Sequence, residues 1–336
     1  MRTPSSHDAA AGWTGESRLG SAGRILDAVA RNAAVQDWVL LAFHAYMLAR
    51  VLVAPASSER TVALAWAVTL FGVTAATVFL VRGSVLRQGP WRALVYRIGV
   101  FAPAVCSYFS LRWLLPSLRP DIVDDTLLAI DEALFGTTPA IWVESFWSPA
   151  LTEWFAFFYY SYFFVLGLNL LPVLFFGRGA ILRELMVGAL VVCTLGHVGY
   201  TLVPAYGPYH HMSFATPLEG GLFWHLVLEA VRSAGAMLDV FPSLHTAYPT
   251  FFAIFAVRHR RTVPYRWLWP LSVLVAVNIV PATMVLRWHY AIDIVAGIAL
   301  AAFAAWAAAR VSAREASRTD SGRQPTWERL WWPSGG

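Results

Sequence analysis

Two short segments organise the chain: FPSLH (residues 241–245) and RWHYAID (residues 287–293). Each places a histidine, His245 or His289, at one end of a long apolar stretch. The second segment also places Asp293 four residues after its histidine, which on a helix would bring both side chains to one face. A carboxylate that holds one ring nitrogen leaves the other nitrogen free, so this pair suits a nucleophile or a base.

The composition indicates an integral membrane protein. Of the 336 residues, 58% are hydrophobic and 13% are charged, whereas about 25% of a soluble domain is charged. The 25 basic residues are all arginine and lie between apolar stretches. The positive-inside rule therefore accounts for the net charge of +5, and no nucleic-acid partner is predicted. Cys106 and Cys193 both lie in apolar stretches and indicate neither a disulfide framework nor a metal site.

The apolar stretches predict an all-α, polytopic membrane bundle of about eight transmembrane helices, each of roughly 20 residues. These stretches cover residues 37–54, 62–81, 96–116, 152–176, 182–204, 239–257, 266–284 and 288–310. We expect one membrane catalytic domain, residues 37–310, with the motifs in 182–310. Residues 1–36 are predicted to be a cytoplasmic tail, whose last part (24–36) is either a helix lying on the membrane or a lead-in to the first span. Residues 311–336 are predicted to be a disordered cytoplasmic tail.

Arginines mark every second loop, so those loops and both termini are predicted to be cytoplasmic in a plasma-membrane protein. The basic loops carry Arg82, Arg87 and Arg92; Arg178 and Arg183; Arg258, Arg260, Arg261 and Arg266; and Arg310, Arg314 and Arg318. The loop 117–151 is acidic instead. In this topology FPSLH and RWHYAID both lie at the outer face, so their side chains are expected to meet there.

The start of the sixth span has the features of an anion site. Pro242 and Ser243 are typical of a helix start, and the free amides of a first helical turn bind anions. His245 would meet a bound phosphate there as a general acid, and Arg287 would turn toward the same anion. The alternatives are an interfacial histidine, a polar contact between helices, and an arginine that extends to the headgroups.

These residues resemble the type 2 phosphatidic acid phosphatase superfamily, whose pattern is K-x6-R-P, then P-S-G-H, then S-R-x5-H-x3-D. The likeness covers roughly the second half of the chain, in PSLH (242–245) and in His289-x3-Asp293 followed by Ala296-Gly297. It implies a six-helix catalytic core that works without metal or cofactor. His289 would attack phosphorus to give a phosphohistidine, Asp293 would orient it, and His245 would protonate the leaving group.

The chain departs from this pattern at the expected basic residues. Tyr200 and Gly207 take the places of the first-block lysine and arginine, and Ala282 and Thr283 those of the third-block serine and arginine. Phosphate binding is therefore predicted for other residues. These are Arg287, Ser243 with its helix amides, Tyr209, His210 and His211.

The departures resemble the inositol phosphorylceramide synthase branch in GYTLVPAYGP (199–208), in TMVLRWHY (283–290) and in Asp131 with the LFG of 134–136. That likeness implies transfer of a phosphorylated headgroup, such as inositol phosphate, from one lipid to an acceptor alcohol at the outer leaflet. The substrate would be a phospholipid, a sphingolipid or an isoprenoid phosphate. The alternatives are a lipid phosphatase that uses water and a non-catalytic lipid transporter.

Three other groups of residues carry weaker predictions. His210, His211, His225 and Glu229 fit no common zinc pattern, so no metal is predicted. The aromatic run 154–164 suits either a groove for lipid tails or an aromatic belt. The acidic residues from 121 to 132 are predicted to form a solvated helix face.

Overall fold

The computed structural model describes residues 15–118 and 120–330, without the side chains of residues 15–19 and 21. The first part of the predicted N-terminal tail (1–14) and residues 331–336 lie outside the described residues. The chain begins with α1 (Gly15–Asn32), α2 (Val35–Val53), α3 (Ser58–Arg82), α4 (Pro90–Ser117), α5 (Asp124–Phe135), α6 (Pro139–Glu144), α7 (Pro149–Tyr160) and α8 (Tyr162–Phe176). It continues with α9 (Gly179–Leu202), α10 (Pro208–His211), α11 (Leu222–Ala234), α12 (Leu244–Arg258), α13 (Tyr265–Val285) and α14 (Ala291–Arg314).

The predicted all-α class is confirmed. The described residues contain no β-strand, and their one isolated bridge joins Ala205 to Asp239. Six helices are long and apolar enough to cross a membrane, which makes the chain a multi-pass membrane protein. They are Ser58–Arg82, Pro90–Ser117, Pro149–Phe176, Gly179–Leu202, Tyr265–Val285 and Ala291–Ser317.

Two of the eight predicted spans do not reach this standard. α12 begins at Leu244, after the loop that contains Asp239, and its 15 residues rise only about 23 Å, less than the roughly 30 Å of a bilayer core. α2 is 19 residues long but carries Gln36, Asp37, His44 and Arg50. A count of apolar residues placed the start of α2 within two residues but did not detect that α12 begins only at Leu244.

α12 lies at the centre of the motif-bearing half. It packs against α9, α13 and α14, and its Ala247, Phe251, Phe252 and Phe255 are completely buried. Gly297 of α14 lies against the first turn of α12, where an added Cβ would come within 2.6 Å of the Ser243 carbonyl oxygen. A residue without a side chain is therefore needed at position 297 for the two helix starts to lie side by side.

The C-terminal segment differs from the predicted disordered tail. α14 continues to Arg314, and residues 318–330 fold back along the bundle. The buried Arg82 guanidinium donates to the carbonyls of Pro325 (3.2 Å) and Thr326 (3.1 Å), and Arg92 forms an ion pair with Glu328. The Trp327 ring lies 4.9 Å from the Tyr96 ring, with the two planes tilted by 55°. These partners lie far away in sequence, so the polar composition of the tail did not indicate them.

Candidate active site

Backbone and side-chain contacts join the start of α12 to the start of α14. Ser243 caps α12, with its hydroxyl accepting from the Thr246 N–H at 3.2 Å, and its own N–H donates to the Asp293 carbonyl at 3.1 Å. Ser243 is completely buried. Its hydroxyl therefore stabilises the helix start, and the structure does not place it where a phosphate could reach it.

His289 lies just before α14, not on it. Tyr290 is the residue before the first helical turn, and its N–H donates to Asp293 Oδ2 at 2.8 Å. The same Oδ2 lies 3.4 Å from His289 Nδ1, so the turn brings the predicted pair together without a shared helix face. Both residues are buried, and neither His289 Nδ1 nor Asp293 Oδ1 has a hydrogen-bond partner among the described residues.

Two aspartates that were predicted to be solvated accept hydrogen bonds from the residues of this turn. Asp131 accepts from the backbone N–H groups of Ala291 (2.7 Å) and Ile292 (2.8 Å), which are the first amides of α14. Asp124 accepts from the N–H groups of Tyr206 and Gly207, both at 2.9 Å, and from the Tyr290 hydroxyl. Each aspartate is 1% exposed, so the predicted solvated face is wrong at these two positions.

The amides of α14 are thus occupied by the protein's own carboxylate. Burial raises the pKa of Asp131, and the two amide hydrogen bonds act in the opposite direction by stabilising its charged form. A negative charge at a helix start is also favoured by the helix dipole.

His245 is held between aromatic rings. Its imidazole is stacked on Tyr159, with centroids 4.2 Å apart and planes at 11°, and it lies 4.2 Å from the Tyr162 ring on a tilted plane. The Tyr159 hydroxyl is 3.4 Å from His245 Nδ1. Part of the aromatic run 154–164 therefore surrounds a predicted site residue, a use that neither interpretation of that run included.

His245 and His289 face one cavity. Their ring centroids are 6.2 Å apart, and both line a space of about 340 Å³, here called the site cavity. Its other polar or aromatic walls are Tyr108, Tyr159, Tyr160, Phe163, Phe164, Tyr206, His210, Asp239 and Trp288. No arginine is among the described residues that line it, and the chain contains no lysine.

Arg287 does not face the site cavity. Its guanidinium donates to the Thr216 carbonyl at 2.8 Å, forms an ion pair with Glu144 at 3.3 Å, and lies 3.8 Å from the centre of the Phe214 ring. Burial lowers the pKa of Arg287, while the nearby Glu144 charge raises it. The backbone at Arg287 is left-handed (φ +65°), which turns the side chain away from His289.

Only one of the three predicted residues in 209–211 lines the cavity. His210 does, and burial lowers its pKa, which favours a neutral ring at neutral pH. Tyr209 packs 4.7 Å from the Trp288 ring, and its N–H donates to the Arg287 carbonyl. His211 is bonded to the exposed Asp125 at 2.9 Å, so it belongs to the surface.

The sequence did not indicate Asp239. This residue lies in the loop before α12 and lines the site cavity. It also lines a second space of about 150 Å³, here called the deep cavity, which reaches between α4, α8, α9 and α12. No motif marks it, because its neighbours come from four different helices. Among the described residues, no group of three or more His, Cys, Asp or Glu side chains is arranged to hold a metal ion.

Comparison with known families gives one match. Residues 125–307 match the PAP2 superfamily, and this range contains FPSLH, RWHYAID, Asp131 and Asp239. Neither a search of curated proteins nor a search of solved structures gave a match at the significance threshold applied. The matched range is 183 of the 336 residues, more than half of the chain, so the protein belongs to the PAP2 superfamily of membrane phosphatases and phosphotransferases.

Proposed function

We propose that the protein is a lipid phosphotransferase that works through a phosphohistidine at His289. The observation that carries the proposal is the pair of imidazoles facing one cavity, 6.2 Å apart, one beside a buried carboxylate and one between two tyrosine rings. Two nitrogen groups on one cavity provide a nucleophile and a proton donor for a single phosphorus centre.

The chemistry runs in two halves. Because Nδ1 of His289 faces Asp293, Nε2 is the nitrogen that attacks phosphorus; the P–N bond forms as the P–O bond to the leaving alcohol breaks. Burial lowers the pKa of His245, so its ring takes up a proton when the anionic donor binds beside it, and it gives that proton to the leaving oxygen. In the second half an acceptor hydroxyl gives its proton to His245, its oxygen bonds to phosphorus, and the P–N bond breaks. Positioning and electrostatic stabilisation supply most of the rate in such transfers.

The charge of the site cavity supports a phosphodiester as the donor. A phosphate monoester brings up to two negative charges, and a diester brings one. With no lysine in the chain and no arginine among the described lining residues, removal of a dianion from water is poorly compensated. A diester donor, such as a phospholipid with an inositol phosphate headgroup, fits this cavity better. We also propose that the site faces the outer leaflet of the plasma membrane and that both termini are cytoplasmic.

The test uses purified protein in detergent with a phospholipid whose phosphoinositol headgroup carries ³²P, with and without a lipid alcohol as acceptor. We expect a labelled protein that survives neutral or alkaline handling, and a labelled new lipid only when acceptor is present. His289→Ala and His245→Ala should abolish the new lipid while the protein still inserts and folds. The matched control is His225→Ala, because His225 is exposed on α11, hydrogen-bonds to the Gly221 carbonyl and does not line the site cavity.

The outcomes separate three functions. Turnover retained in His289→Ala would overturn the mechanism. A labelled protein that releases its label only to water, whatever the acceptor, would identify a hydrolase. Lipid movement in vesicles without any labelled protein would identify a transporter.

A further inference from the structure

The site cavity and the deep cavity meet at a small set of shared residues. Tyr108, Phe163, Asp239 and His245 line both spaces. Beyond them the deep cavity is walled mainly by apolar side chains, among them Leu166, Leu170, Met186 and Leu190. A molecule at the junction therefore has the proton-transfer histidine on one side and a hydrocarbon environment on the other.

Asp239 is the one carboxylate at this junction. Apart from its own backbone N–H, none of the described residues donates a hydrogen bond to the Asp239 carboxyl group. His289 and Tyr159 line the site cavity with it, Tyr200 lines the deep cavity, and Tyr108 lines both. Burial raises the pKa of Asp239, and the nearby His289 acts against that rise. Asp239 is half-buried, and a ligand hydroxyl at the junction would supply the donor that its carboxyl group lacks.

Position and chemistry together limit what the ligand is. The proton of the reacting hydroxyl goes to His245, so the same hydrogen cannot also be donated to Asp239. Asp239 lines both cavities with that histidine, so it can hold the acceptor through a second donor next to the reacting hydroxyl. The hydrocarbon part of such an acceptor would extend into the deep cavity.

Resting on the proposed phosphotransferase function, we infer that Asp239 selects the acceptor: a lipid alcohol with a second hydroxyl or N–H beside the reacting hydroxyl. Asp239 accepts the hydrogen bond of that second donor and so directs the reacting oxygen toward the phosphohistidine. Asp239 is thus a positioning residue, and the bonds made and broken stay those of the two-step transfer.

The test compares two acceptors that differ in one methyl group. The protein is first labelled with the ³²P-headgroup donor, free donor is removed by dilution, and the label is then chased with 1-O-hexadecylglycerol or with 1-O-hexadecyl-2-O-methylglycerol. Only the first has a free second hydroxyl. In the unaltered protein we expect the free diol to capture the label at about one-tenth of the concentration or less, since a hydrogen bond to a charged group is worth a factor of roughly ten or more.

The variants Asp239→Leu and Asp239→Asn connect the preference to this residue. Leucine removes the acceptor atoms and should bring the two lipids to within about threefold of each other; asparagine keeps a neutral acceptor and should give an intermediate preference. Asp125→Asn is the control, because the Asp125 side chain is 94% exposed and should leave the preference unchanged. Both acceptors should still be used by the variants, with release to water altered less than the preference.

Four results would overturn the assignment. They are equal use of the two lipids by the unaltered protein, an unchanged preference in Asp239→Leu, a lost preference in Asp125→Asn, and complete loss of labelling in both Asp239 variants. The last result would mean that Asp239 is needed before the acceptor arrives. Failure of the unaltered protein to transfer label to any alcohol is different, because it contradicts the proposed function itself.

Discussion

At the scale of single residues, the pairing of His289 with Asp293 decides what the site can do. The Nδ1–Oδ2 distance of 3.4 Å is longer than a hydrogen bond, and Asp293 Oδ2 is at the same time held by the Tyr290 N–H. One carboxylate therefore fixes the turn and orients the ring. A charged partner also stabilises the positive charge that the ring acquires when it forms a phosphohistidine.

Asp293→Asn tests this double use. The amide oxygen can still accept from the Tyr290 N–H, so the turn should persist, but the negative charge beside His289 is lost. We expect the rate of protein labelling by a phospholipid donor to fall by a factor of about 10² or more, in the range typical of acid–base groups. Asp125→Asn serves as the control. A labelling rate within threefold of the unaltered protein would show that Asp293 only supports the turn.

The sequence was sufficient to predict the residues that share a short motif, and insufficient for the others. Spacing, the helix-start residues before His245 and the family resemblance together indicated His245, His289 and Asp293, and the structure brings all three to one place. Arg287 was predicted to bind phosphate because it precedes His289 by two residues; its orientation depends on Glu144, 143 residues away, and on a left-handed backbone. The sequence did not indicate Asp239 either, because the residues around it come from separate helices and no short motif contains them.

At the scale of elements, α5 supports the start of α14. Its Asp131 accepts hydrogen bonds from two N–H groups that would otherwise lack partners. Its Asp124 accepts from the backbone of residues 206 and 207 and from the Tyr290 hydroxyl, which holds that loop against Tyr290. The order of contacts runs from α5 to the turn before α14 and from there to His289. A helix that appeared from its composition to be a solvated surface element is thus part of the support of the site.

Asp131→Ala should disturb this support. Two helix-start amides lose their acceptor, and such a cap is worth about 0.5–2 kcal/mol. We expect a lower midpoint of thermal unfolding in detergent and a fall in transfer activity of about tenfold through misplacement of His289. The exposed neighbour on the same helix, changed as Asp125→Ala, should alter neither property. Unfolding and activity equal to those of the unaltered protein would contradict the assigned role of Asp131.

At the scale of the whole molecule, the arginine pattern and the described fold together predict which end faces outward. The loop between α10 and α11 lies at the end of the bundle that holds the site, and the loop between α12 and α13 lies at the opposite end. Exposed positions exist in both loops, Glu219 in the first and Arg261 in the second. The helix α12 connects the two ends and packs against α9, α13 and α14. The direction in which the bundle crosses the membrane is the quantity to measure.

Single cysteines at these positions measure the direction. In a background without Cys106 and Cys193, Glu219→Cys should react with a membrane-impermeant maleimide in intact cells, and Arg261→Cys should react only after the membrane is opened. The two variants are controls for each other. Labelling of Arg261→Cys alone in intact cells would show the opposite topology, with the site on the cytoplasmic side.

The buried Arg82 has a consequence for biosynthesis. Its carbonyl partners, Pro325 and Thr326, are 243 and 244 residues later in the chain. At roughly 5–20 residues per second, a ribosome takes on the order of 10–50 s to add that length. For this time the Arg82 guanidinium lacks its two carbonyl partners. Asp37, only 45 residues earlier and 2.7 Å away in the finished fold, is the partner already synthesised when Arg82 emerges. Their ion pair can therefore form first, and the C-terminal segment completes an arginine site that α2 has begun.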